Sequence, residues 1–173
     1  TENVTANNKT ITLDLNGKTV NGGGKDTVLT VNGGDVTLTG DGTLTGGHSD
    51  NYTQGGGVTV DKGGIFTMKS GTIDNNIANQ YGGGVMVYSG TFTMDGGKIT
   101  NNKVDVSGTG GGVCVYNCIE AQSAQFIMNN GTISGNTNGN GGGVGAFHFR
   151  LSAVRTSIII NGGTITKNTA NNG

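Results

Sequence analysis

The side chains able to do covalent or metal chemistry are few: Cys114, Cys118, His48 and His148, with Arg150, Arg155 and Glu120 nearby in sequence. A cysteine nucleophile needs a base within hydrogen-bond reach. Aligning GGGVCVYN (110–117) with GGGVGAFH (141–148) sets His148 beside Asn117, so a Cys118–His148 pair is within reach. No third group that would orient the imidazole is evident. A Cys114–Cys118 disulfide would require a sharp bend, because four extended residues span about 13 Å and the bridge holds Cα atoms only ~4.4–6.8 Å apart. Two free or partly buried thiols are expected, with Cys114 facing out because Val113 and Val115 on either side face in. C-x-x-x-C with no further ligands is not a zinc spacing, and nothing calls for a metal or another cofactor.

What positions these residues is a repeat. GGGVTV (55–60), GGGVMV (82–87), GGGVCV (110–115) and GGGVGA (141–146) each open a copy. Their first valines, Val58, Val85, Val113 and Val144, are 27, 28 and 31 residues apart by subtraction, and Leu29 begins an earlier copy without the triplet. Each copy holds a V-x-V run, an F-T-M run and a T-I run. Three short strands per ~28 residues, separated by turn residues, describe one coil of a right-handed, three-sided parallel β-helix of five to six coils. The fold class is all-β.

Composition agrees. Among 173 residues there are 36 glycines and no proline, and the hydrophobic share of 32% is low. The apolar residues nevertheless alternate in strand-like runs, which argues against a disordered Gly-rich linker. The net charge of −1, with no Lys/Arg cluster, gives no electrostatic footprint for nucleic acid. No apolar stretch approaches the ~20 residues of a spanning helix, so no membrane insertion is expected.

Strand periodicity assigns the core. Val58/Val60, Val85/Val87, Val113/Val115 and Val144/Ala146 form one inward column. Phe66/Met68, Phe92/Met94, Phe126/Met128 and Ile158/Ile160 form a second, and Ile73, Ile99, Ile133 and Ile165 a third. Asn76, Asn102, Asn136 and Asn168 follow those isoleucines by three and are expected at a left-handed bend, with amides bonded from coil to coil. The triplet glycines allow positive φ and close backbone approach. Residues 1–27, containing TITLDLNGKTV, read as an N-terminal cap or first coil, and 28–173 as the repeats. TENVTANN reads as an internal starting point and TANNG (169–173) as a stop at a repeat boundary. The parent protein is therefore expected to continue, and an uncapped last coil would expose strand edges able to self-associate end to end.

With GGGV-x-V, FTM-x-x-G-x-I and I-x-x-N in place, the chain resembles the pectate-lyase-like parallel β-helix repeat proteins over roughly residues 10–173. It is most similar to large repetitive bacterial surface proteins and to polymorphic outer-membrane autotransporter repeats. The resemblance implies an extracellular, cell-surface location on a bacterium and frequently an adhesin role; its enzymatic members carry clustered acidic residues on one outer sheet that this chain does not match, so no enzymatic activity is expected. The alternative it leaves open is a polysaccharide lyase or hydrolase remnant, which would need positioned carboxylates of which no cluster can be matched.

Function is sought where the repeat breaks. One outward column reads Asp61, Tyr88, Tyr116, Phe147, and stacked aromatics suit a sugar or a protein hot spot. They would equally cover a strand edge under a loop. Val115 to Phe126 takes eleven residues and Ala146 to Ile158 takes twelve, against six and five in the two preceding copies, by subtraction. Both insertions leave the same corner and carry Glu120, His148, Phe149, Arg150 and Arg155. Insertions in solenoids collect on a binding face. The expected partner is a host glycan or a host surface or secreted protein. A second outer face carries Thr43/Thr45, Thr132/Ser134 and Thr164/Thr166, an ice-binding-like array broken by Asp74 and Lys98. Threonine is also an ordinary exposed strand residue.

Overall fold

The computed structural model describes residues 1–105, 108–117, 123–138, 140–148 and 156–170, and these contain strands and turns but no helix. The strands pair in parallel and build a three-sided β-solenoid of about five turns. The V-x-V strands include Val58–Asp61, Val85–Val87, Val113–Asn117 and Val144–His148. The F-T-M strands include Gly64–Met68, Gly90–Met94, Ala124–Met128 and Thr156–Ile160. Leu29–Thr39 runs through both sets and so joins them into one ten-stranded sheet, with Val4–Asp14 paired along it from Val4 opposite Leu29 to Asp14 opposite Thr39. The T-I strands form a six-stranded sheet from Thr19–Asn21 to Thr164–Thr166, one strand per level.

Register follows the glycine triplets. Val58, Val85, Val113 and Val144 lie opposite one another in turn, as do Phe66, Phe92, Phe126 and Ile158. Phe66 and Phe92 stack at 5.1 Å between ring centroids and Phe92 and Phe126 at 5.0 Å, close to the inter-strand spacing of ~4.8 Å. All three are fully buried, and burying each such ring contributes about 1.5–3 kcal/mol. At the last level Ile158, Ile160 and Ile165 are exposed.

The asparagine column is a buried hydrogen-bonded ladder. Asn76 donates its backbone N–H and its Nδ2 to Asn102 Oδ1, Asn102 does the same to Asn136, and Asn136 to Asn168, all at 2.9–3.0 Å. The left-handed backbone expected at these residues sits one position earlier, at Asn75 (φ 56), Asn101 (φ 53) and Lys167 (φ 54). The ladder residue itself must turn its amide into the stack, and the preceding residue makes the corner.

From the second level on, each coil also holds a fourth strand that no hydrophobic run announces. His48–Ser49, Ile77–Ala78, Lys103–Val104, Thr137–Asn138 and Thr169–Ala170 make a five-stranded sheet. From it the chain doubles back through the glycine triplet over the outer side of the V-x-V strands. A Cβ built on Gly82 would lie 2.8 Å from Met86 Cα, and one on Gly110 2.8 Å from Cys114 Cα. Met86, Cys114, Ala78 and Val104 are consequently buried while lying outside the main core cluster. This corrects the expectation that Cys114 faces out: strand alternation does turn it away from the core, but the returning glycine segment covers it. Its thiol is free, and burial raises its pKa well above the ordinary value.

Candidate functional site

The outer aromatic column forms as a continuous ladder. Tyr116 lies opposite Phe147 in the strand pairing, and their rings stack at 5.3 Å with 9° between planes. Tyr88, one residue beyond Val87, stacks on Tyr116 at 5.6 Å and 15°. The same register that stacks phenylalanines inside the coil stacks these rings outside it.

Tyr81 joins them, and sequence reasoning missed it. Its centroid is 5.0 Å from Tyr116 and 5.8 Å from Phe147, whose own separation is 5.3 Å. Three nearly equal distances form a triangle, so Tyr81 flanks the ladder instead of extending it. The signal was its position directly before the GGG of 82–84, which carries it onto the doubled-back segment beside the outer face. Tyr81 pairs there with Thr109, and Thr109 with Asn140. Desolvation by burial raises the Tyr81 pKa, with a smaller contribution from Cys114.

Stacking changes what the ridge can offer. Tyr116 has a ring on each face and a third beside it, so the internal faces are occupied and the edges border solvent. Tyr81, Tyr88 and Tyr116 are partly exposed, and Phe147 is 39% exposed. Edge-on aromatics with phenol groups suit packing and hydrogen bonding at a protein surface. A sugar stacking flat on a ring would have to use an end of the ladder. Below Tyr88, Asp61 Oδ1 accepts from Ser89 Oγ at 2.8 Å and from the Lys62 backbone N–H at 2.6 Å, so that carboxylate is engaged in the corner turn.

The other expected site residues are only partly placed. His148 lies in Val144–His148 with its backbone opposite Asn117, as the alignment required. Cys118, Glu120, Phe149, Arg150 and Arg155 lie outside the described residues. Both insertions leave from the strands carrying Tyr116 and Phe147 and rejoin in register, Ala124 opposite Thr156. His48 stands four levels below His148, with its Nε2 3.6 Å from Asp50 Oδ1.

The threonine face is a true pair of columns. Thr43, Thr72, Lys98, Thr132 and Thr164 align, as do Thr45, Asp74, Thr100, Ser134 and Thr166. In its middle, Asp74 Oδ1 accepts from Thr100 Oγ1 at 2.6 Å and from Asn101 Nδ2 at 2.9 Å. The array is therefore charged and internally bonded at its centre. A shallow groove at its edge is lined by Asp41, Thr43, Ser70, Thr72 and Lys98. Compared with known proteins, the chain matches no family model, no curated protein and no solved structure.

Proposed function

We propose that the chain is a non-enzymatic β-solenoid segment of an extracellular bacterial surface protein, adhesin-like in role. The rod is the scaffold, and the Tyr88–Tyr116–Phe147 ladder flanked by Tyr81 is its contact surface. The observation that carries this reading is the ladder itself: four rings gathered on an outer surface otherwise populated mostly by Thr, Ser, Asn and Lys. Among partners, a host surface or secreted protein fits edge-presented rings better than a glycan, which would be confined to the ladder's ends. Glu120, His148, Phe149, Arg150 and Arg155 follow Tyr116 and Phe147 in sequence and are proposed as polar, aromatic and cationic parts of the same contact.

Binding to panels of host proteins and glycans, measured for the native chain and for Tyr116→Ala, tests the proposal. Loss of a specific protein signal in a variant that keeps its β circular-dichroism spectrum is the expected result. Equal binding by both proteins would remove the ladder from the contact surface. Signals on glycans alone would overturn the preference for a protein partner.

A further inference from the structure

Four of the chain's Asn–Gly pairs differ sharply in how their groups are engaged. Asparagine followed by glycine is open to ring closure, because glycine's backbone amide is unhindered by a Cβ. The reaction proceeds when that amide reaches the side-chain carbonyl carbon in a near-attack arrangement, and hydrogen bonds that hold either group elsewhere slow it.

Three of the pairs are held. The Gly22 N–H donates to the Thr45 carbonyl at 2.9 Å, and Asn21 Oδ1 instead accepts from Gly23 N–H at 2.7 Å. Asn32 Nδ2 donates to Asn7 Oδ1 at 2.8 Å from within the long strand Leu29–Thr39. Asn161 Nδ2 donates to Asn129 Oδ1 at 2.7 Å, and Gly162 N–H to the Met128 carbonyl at 3.3 Å.

Asn130 is placed differently. It is exposed, at the corner between Ala124–Met128 and Thr132–Ser134, and its Oδ1 accepts a hydrogen bond at 2.8 Å from the N–H of Gly131 itself, which keeps the two reacting groups together instead of holding them elsewhere. Its own side-chain carbonyl therefore sits alongside the amide that would attack it. Register carries the explanation: the positions above and below Asn130 are Gly162 and Gly96, whose backbone N–H groups make the same bond to the methionine carbonyl of the level beneath. With glycines on both sides, no side chain of the column among the described residues pins the Asn130 amide, whereas neighbouring Asn129 is tied to Asp95 and Asn161. Gly131 is at φ +104, a conformation that glycine adopts freely.

We infer that Asn130 is a spontaneous modification site, deamidating faster than Asn21, Asn32 and Asn161. The Gly131 nitrogen bonds to Asn130 Cγ and gives up its proton to solvent, while the Cγ–Nδ2 bond breaks and the amide nitrogen takes up a proton from solvent and leaves as ammonia. Water then opens the resulting succinimide at either carbonyl, to aspartate or isoaspartate. No oxidant or further reactant is involved. The product adds a carboxylate to a corner that already holds Asp95.

Incubating the intact protein at mildly alkaline pH, followed by peptide mass mapping, gives the rate at each of the four asparagines. A parallel incubation in denaturant supplies each site's unstructured rate. The expected result is an Asn130 rate, normalised to its denatured value, at least about tenfold above the other three, equal to about 1.4 kcal/mol of barrier. Four equal normalised rates, or a lead by Asn21, Asn32 or Asn161, would overturn the inference.

Discussion

At Asn102 the side-chain oxygen accepts both the backbone N–H and the Nδ2 of Asn76, while its own Nδ2 donates to the Ile73 carbonyl and to Asn136 Oδ1. Asn102→Ala would leave these groups unpaired in a site only 1% exposed. At about 1–3 kcal/mol per orphaned buried group, urea unfolding should show a loss of about 3 kcal/mol or more. A loss under about 1 kcal/mol would mean that water replaces the ladder. Cys114 gives a pH prediction. Its pKa is raised on folding, so the folded chain retains a proton that the unfolded chain loses above its ordinary value of 9.0. Stability is full below that pH and falls as pH rises beyond it. Cys114→Ala should flatten the alkaline fall, leaving the part due to Tyr81, whose pKa is also raised. Iodoacetamide should spare Cys114 in the native chain and label it in denaturant.

Elements test the close approach that the glycine triplets permit. A Cβ on Gly84 would stand 2.6 Å from the Gly112 carbonyl oxygen and 2.8 Å from Ile99 Cγ2, and Gly112 repeats the contact one level on. Gly84→Ala should cost about 3 kcal/mol, the upper range for overpacking. At Gly63, no atom lies within 4 Å of a built Cβ but φ is +76, so Gly63→Ala should cost only the left-handed penalty of about 1–2 kcal/mol. Equal losses in thermal or urea unfolding would contradict the packing explanation. The inward columns were legible in sequence because Val, Phe, Met and Ile recur with strand alternation between fixed glycines. The two-residue strands such as Ile77–Ala78 were not, since two residues carry no period. Cys114 was misread for a related reason: alternation says which way a side chain leaves its own strand, not what another segment lays over it. Tyr81 escaped for the same cause, because its partners are supplied by strands one and two levels further on.

For the whole molecule, the aromatic ladder braces successive coils and is also the proposed contact surface. Tyr116→Ala removes ring contacts to Tyr88, Phe147 and Tyr81, which at half-exposed positions should lower stability by about 1–3 kcal/mol. Tyr116→Phe keeps the ring and removes only the phenol, so it should retain the stacking part of this stability that Tyr116→Ala loses. All of these expectations depend on equivalent residues lying above one another along one axis. Spin labels on the third face measure that directly, with one label at Thr19 and the second at Lys98, Thr132 or Thr164, which lie three, four and five levels away. At ~4.8 Å per level the backbone separations should be about 14, 19 and 24 Å, and the label distances should rise in equal steps from pair to pair. Distances that do not increase with the level number would contradict the solenoid, and with it the ladder, the ridge and the corner at Asn130.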